Sequence, residues 1–265
     1  MTTSPTSDLA CFPESLRLLA RRPWVALALG VLGAALGALP PALTIWARLP
    51  DQELARLALA FVALLPLEMY FIPRFQAEAD ARLGGDPAHP PEGWEKRFDE
   101  RWPIAMGARF LLYGCAILAT VILMPFLAVA AAAGFQAVLL IPTLLVSLAF
   151  GWAPLRVLLR GGAPLPAFRA SLEMMKRAWR RVLAVLLGVG AGYILCLTLV
   201  ALLVGDHATE PTPWEHLVRP GIWAGNFLAT LANLWASTVL LVLFRRIEPT
   251  AGPADPANSN NSNIL

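Results

Sequence analysis

Long uncharged runs, separated by short clusters of arginine and acidic residues, divide this chain from end to end. Between Arg22 and Arg48 lie 25 residues without a charge, and between Arg56 and Arg74 lie 17 interrupted only by Glu68. Arg109 and Arg156 enclose 46 uncharged residues, Arg181 and Asp206 enclose 24, and Arg219 and Arg245 enclose 25. A helix needs about 20 apolar residues to cross the hydrocarbon core of a bilayer. The longest run exceeds one crossing, and Ala131-Ala132-Ala133-Gly134 offers the hairpin that divides it. The pattern predicts an all-α, polytopic integral membrane bundle of about six transmembrane helices. Their expected positions are 24–46, 55–74, 104–129, 135–155, 182–204 and 219–244.

Two stretches repeat apolar residues at helical spacing without being apolar throughout. Leu9, Phe12, Leu16 and Leu19 precede the first run, and Leu165, Phe168, Leu172, Met175 and Trp179 precede the fifth. Each predicts an amphipathic helix lying in the membrane interface before the chain turns inward. At an offset of 156, Phe12, Ser15, Leu16 and Arg21 match Phe168, Ser171, Leu172 and Arg177, which is either a weak parallel repeat or the chance likeness of two leucine-rich helices. A third stripe, Trp94, Phe98 and Trp102, suits the membrane surface, a partner or the end of the bundle. The chain is thus expected to divide into an interfacial helix (1–22), a six-span membrane domain (23–247) and a disordered polar tail (248–265).

Composition strengthens this reading. Hydrophobic residues make up 57% of the 265 and charged residues 15%, well under the quarter usual in soluble domains. The run from Pro23 to Ala47 is too long for the apolar part of a cleaved signal, so it is read as a retained span. Charge then sets the orientation, because Lys and Arg near span ends stay cytoplasmic. With the N-terminus inside, seventeen basic residues fall on the inner side and three (Arg48, Arg56 and Arg219) on the outer, with Arg109 just within the third span. The expected location is a bacterial inner membrane, with both termini cytoplasmic. The basic residues lie beside apolar runs and form no stripe suited to nucleic acid, so the bilayer is the expected partner. A cytoplasmic or membrane protein, or a second copy of the chain, are further partners that the amphipathic stripes could serve.

The segment LPAFRASLEMMKRAWRRVLAVLLG (165–188), with Ala167 and Ser171 spaced as Ala-x-x-x-Ser, resembles a bacterial membrane-domain family. That family is named for glycerophosphoryl diester phosphodiesterases and includes YciC-like relatives. AEADARLGGDPAHPPEGWEKRF (77–98) is similar to the loop after that family's second span, and the order of spans agrees. Some relatives carry a fused soluble phosphodiesterase domain; the residues here hold no counterpart of it, so no catalytic residue carries over. The resemblance implies a non-catalytic membrane module.

Candidate chemistry inside the spans is sparse. Glu68 and Arg109 are expected at similar depth in the second and third spans and form a candidate intramembrane ion pair. Asn226, Thr230, Asn233 and Ser237 recur along one face of the sixth span and form a candidate polar seam to a neighbouring helix, with Leu241 expected to face lipid. Gly33-x-x-x-Gly37 and Gly188-x-x-x-Gly192 predict close helix packing. Asp206, His207, Glu210, Glu215 and His216 crowd one outer loop, but their spacing matches no metal motif. Cys11, Cys115 and Cys196 form no CxxC. No catalytic residue, metal or cofactor is assigned. The expected function is a non-catalytic membrane module or scaffold. The alternative is the permease subunit of an exporter driven by a separate ATPase.

Overall fold

The computed structural model describes residues 10–46, 59, 62–83, 91–132, 141–204 and 218–248, and these are helical without a strand among them. Helix α1 (Cys11–Ala20) is followed by α2 (Pro23–Trp46). A π-helical turn, Leu67–Phe71, leads into α3 (Ile72–Leu83). Helix α4 runs over Trp94–Ala132, and α5 (Ile141–Phe150) and α6 (Trp152–Arg160) adjoin across Gly151. Helices α7 (Pro164–Val204) and α8 (Pro220–Ile247) complete the chain. Four of them, α2, α4, α7 and α8, are long and apolar enough to cross a membrane. The expected spans at 55–74 and 135–155 each fall partly outside the described residues, as do the acidic and histidine-rich outer loop and the polar tail beyond Glu248.

Helix α8 is the hub. Leu234, Val239, Leu241, Val242, Leu243 and Phe244 are sealed from solvent within it. Leu241 is therefore a core residue and not the lipid-facing one expected, because α8 is enclosed on more than one side at this level. Against α8 pack α2, α7, α1 and α3. Large apolar side chains on α4 and α7, among them Leu111, Ile117, Leu118, Val121, Leu187 and Ile194, stay exposed. An outward apolar surface of this kind is what lipid as solvent demands.

Missing side chains let helices approach closely. A Cβ at Gly37 would lie 2.7 Å from Asn226 Nδ2, and one at Gly33 would overlap Thr230. On the other side, a Cβ at Gly188 would lie 2.5 Å from the Phe12 ring and one at Gly192 2.8 Å from Trp235. Both glycine pairs thus act as the grooves into which larger side chains fit.

The amphipathic segments pack more deeply than an interfacial position requires. In α1 the sealed residues are Cys11, Ser15 and Leu18, while Leu16 is 56% exposed. The buried stripe is rotated from the leucine stripe because α1 lies on α8, with Phe12 against Trp235 at 5.8 Å between ring centres. The second amphipathic stretch is no separate helix: it is the first part of α7, continuous for 41 residues. The aromatic stripe of α4 turns toward the bundle, with Phe98 buried and Tyr70 edge-on to both Phe98 and Trp102.

One end of the bundle gathers the charges. Arg22, at the start of α2, reaches Glu78 of α3 at 2.5 Å, and Arg82 meets the same carboxylate at 3.1 Å. Arg245, near the end of α8, meets Asp80 of α3 at 2.5 Å, and Arg246 meets Glu14 of α1 at 2.7 Å. Arg101 of α4 donates to the Leu159 carbonyl of α6 at 2.6 Å. Helices α2 and α4 therefore begin at the end where α3, α6 and α8 finish.

Candidate functional site

Proline chemistry builds the site. The N–H of Ile72 turns back to the Leu67 carbonyl, which defines the π turn. Pro73 follows with no N–H to give. The carbonyls of Glu68 and Met69, five and four residues earlier, are thereby left without the donor a continuous helix would supply. In an apolar interior each such orphan costs about 1–3 kcal/mol. Two side chains of α4 fill the gap: Arg109 Nη1 donates to the Glu68 carbonyl, and Trp102 Nε1 donates to the Met69 carbonyl at 2.6 Å. Because Trp102 and Arg109 lie two helical turns apart on one face of α4, both can reach the same break.

Glu68 and Arg109 are thus brought together, but through the main chain. The Glu68 carboxylate turns the other way and accepts from the side-chain amide of Asn233 on α8. No guanidinium-to-carboxylate bridge joins Glu68 and Arg109 among the described residues. The broken backbone competes for the arginine, and the amide of the seam competes for the acid. A hydrogen bond from a neutral amide also suits a carboxylate held away from water.

The seam on α8 divides its labour. Asn233 crosses to Glu68. Asn226 and Thr230 fill the space over Gly37 and Gly33, and the Thr230 hydroxyl returns to the Asn226 carbonyl at 2.8 Å. Ser237 contributes its carbonyl, which accepts from the buried Gln76 side chain of α3 at 3.1 Å. Among the described residues, therefore, only Asn233 of the four uses its side chain to bond across the interface.

Beside this network lies a cavity of about 260 Å³. Gln76, Arg109, Ser147 and Ser237 give it polar groups, and Leu148, Trp152, Leu186 and Leu240 give it an apolar wall. It draws on α3, α4, α5, α6, α7 and α8 together. A smaller void of about 20 Å³ also touches Arg109 and Gln76 and lies toward Trp102. An apolar cavity with a few convergent polar groups and one cation suits an amphipathic ligand with a negative or strongly polar end.

Gln76, Trp102 and Ser147 belong to this site and were not among the sequence candidates. Pro73 was the signal for Trp102, since it announces carbonyls in need of donors. Gln76 shares a face of α3 with Asp80, spaced four apart. Nothing in the local pattern singles out Ser147. Among the described residues no disulfide joins the three cysteines: Cys11 is buried, Cys115 exposed and Cys196 half-buried.

No family model, curated protein or solved structure matches the chain.

Proposed function

We propose that this protein is a six-span, non-catalytic module of a bacterial inner membrane, with both termini in the cytoplasm, that serves as a scaffold or accessory protein. The observation that carries the reading is the use of its interior polar groups. Glu68, Asn233, Arg109, Trp102 and Gln76 all bond helix to helix. Such groups position spans in a medium where unpaired polar atoms are costly. Support for the orientation comes from the gathering of basic residues at one end, where Arg22, Arg101 and Arg245 hold the helix termini together. Helices alternate in direction at that end, which supports an even number of crossings. The likeness to the phosphodiesterase-associated membrane domains is part of this proposal, and it too implies a non-catalytic module.

Cysteine accessibility tests the topology. Cysteines placed at Ala88 and Gly162 should resist a membrane-impermeant reagent in intact cells, whereas those at Glu53, Ala132 and Thr212 should label. External labelling at Gly162 overturns the orientation. For the function, the full chain is purified from its native membrane in mild detergent and the eluate assayed for a bound ATPase. A stoichiometric ATPase would replace the scaffold reading by the permease one.

The cavity beside Arg109 is what favours that second reading. A space of about 260 Å³ reached by six helices, holding one cation, could accept the polar end of an exported amphiphile.

A further inference from the structure

At the charged end, three helix termini converge on a second pocket of about 290 Å³. Arg97 and Arg101 come from the first turns of α4, Arg160 closes α6 and Arg245 lies near the end of α8. Trp94 forms part of the wall. Four guanidiniums thus share a space into which one carboxylate, Asp80, projects. That carboxylate is already taken, because Arg245 Nε holds its side chain and Arg245 Nη2 holds its carbonyl, both at 2.5 Å. Glu100 is the other acid within electrostatic reach of Arg101, against the like charges of Arg97 and Arg160.

The donors that remain are uncommitted. Arg101 spends Nη1 on the Leu159 carbonyl and keeps its other nitrogens. Arg97 is exposed, and its guanidinium bonds to no acceptor among the described residues. Arg160 packs over the Phe244 ring at 6.0 Å, and its Nη2 is shut off from solvent with no acceptor among those residues. The neighbouring pocket at Arg21, Arg22 and Arg82 makes the contrast: there Glu78 already bridges Arg22 and Arg82. Massed guanidinium forks with spare N–H groups match the geometry and charge of a phosphate group.

We propose that the pocket formed by Arg97, Arg101, Arg160 and Arg245 binds a phosphate group, carried by an anionic phospholipid headgroup or by a soluble phosphate. Basic pockets between spans on the cytoplasmic side are suited to lipid headgroups. The lipid source rests on the topology proposed above; the phosphate chemistry does not. External labelling at Gly162 would remove the first without touching the second.

The test uses the full chain in non-ionic detergent and reads its thermal midpoint. One arm adds inorganic phosphate against chloride at matched ionic strength. The other adds phosphatidate to the micelle against diacylglycerol with the same chains. A bound phosphate should raise the midpoint by about 2–4 °C once well above its dissociation constant. A rise with inorganic phosphate assigns a soluble source, and a rise with phosphatidate alone assigns the lipid. Either rise should vanish in the double variant Arg97→Gln, Arg160→Gln. Should that variant fold poorly, Arg97→Gln alone serves, since Arg97 is exposed and its guanidinium makes no hydrogen bond or ion pair among the described residues; it should weaken apparent affinity about fivefold. No rise with either probe, or a rise undiminished in the variants, overturns the proposal.

Discussion

Helices α2 and α8 meet through missing side chains, whereas the π turn ahead of α3 meets α4 through missing backbone hydrogen bonds. In the first pair, Gly30, Gly33 and Gly37 open a groove that Phe227, Thr230 and Asn226 fill. In the second, Pro73 leaves carbonyls open and Arg109 and Trp102 cap them. The first contact depends on shape and tolerates almost no added volume. The second depends on donors and tolerates changes of shape that preserve an N–H. Membrane bundles lack a hydrophobic drive between helices, so these two devices carry much of the specificity.

The largest effect should come from filling the groove. Gly33→Leu places a branched side chain where Thr230 now sits, and should cost about 3 kcal/mol in a detergent unfolding titration. A loss under about 1 kcal/mol would mean that α2 and α8 can part freely, and the contrast would collapse.

Next comes the cap. Arg109→Leu leaves the Glu68 carbonyl orphaned and should cost about 2 kcal/mol. The same change made in a Pro73→Ala background should cost about half as much, because residue 73 then offers an N–H to the break. An undiminished loss would show that the arginine acts otherwise than as a cap. Trp102→Phe keeps the ring and deletes its donor, so unfolding should register about 1 kcal/mol.

The smallest effect separates the cap from an ion pair. Glu68→Gln leaves both the main-chain carbonyl for Arg109 and a side-chain acceptor for Asn233. Its cost should stay within about 0.5 kcal/mol, whereas an ion pair broken on one side would cost about 3–5 kcal/mol. Melting curves of the single variant and of the double variant with Arg109→Leu decide between the two. Additivity is the expected result.

Much of this architecture was legible beforehand, because uncharged runs and small-residue spacings report directly on what a helix must bury. Gly33 and Gly37 were found by spacing alone, and so were Gly188 and Gly192. Glu68 and Arg109 do meet, though through the Glu68 carbonyl and not its carboxylate. What side-chain patterns conceal is the state of the backbone, so the arginine's true acceptor was visible only through Pro73. The junction of amphipathic helix and span offers a similar lesson. After α1 the chain breaks at Arg21 and Arg22, ahead of Pro23, which disfavours helix in the residue before it. At the matching point of α7 the residue is Trp179, and the helix runs on without a break.

The π turn also governs angular phase. It holds one residue more than the α turn it replaces, and each α-helical residue advances the side-chain direction by about 100°. Ahead of the turn and within it, the chain offers Glu68 to Asn233; beyond it, Gln76 meets Ser237 and Asp80 meets Arg245. Deleting one residue from Leu67–Phe71 would heal the helix locally while rotating Gln76 and Asp80 more than a quarter turn away from α8. The extra residue works as a phase shifter, allowing one rod to keep two appointments on the same neighbour that a uniform helix of this sequence would miss.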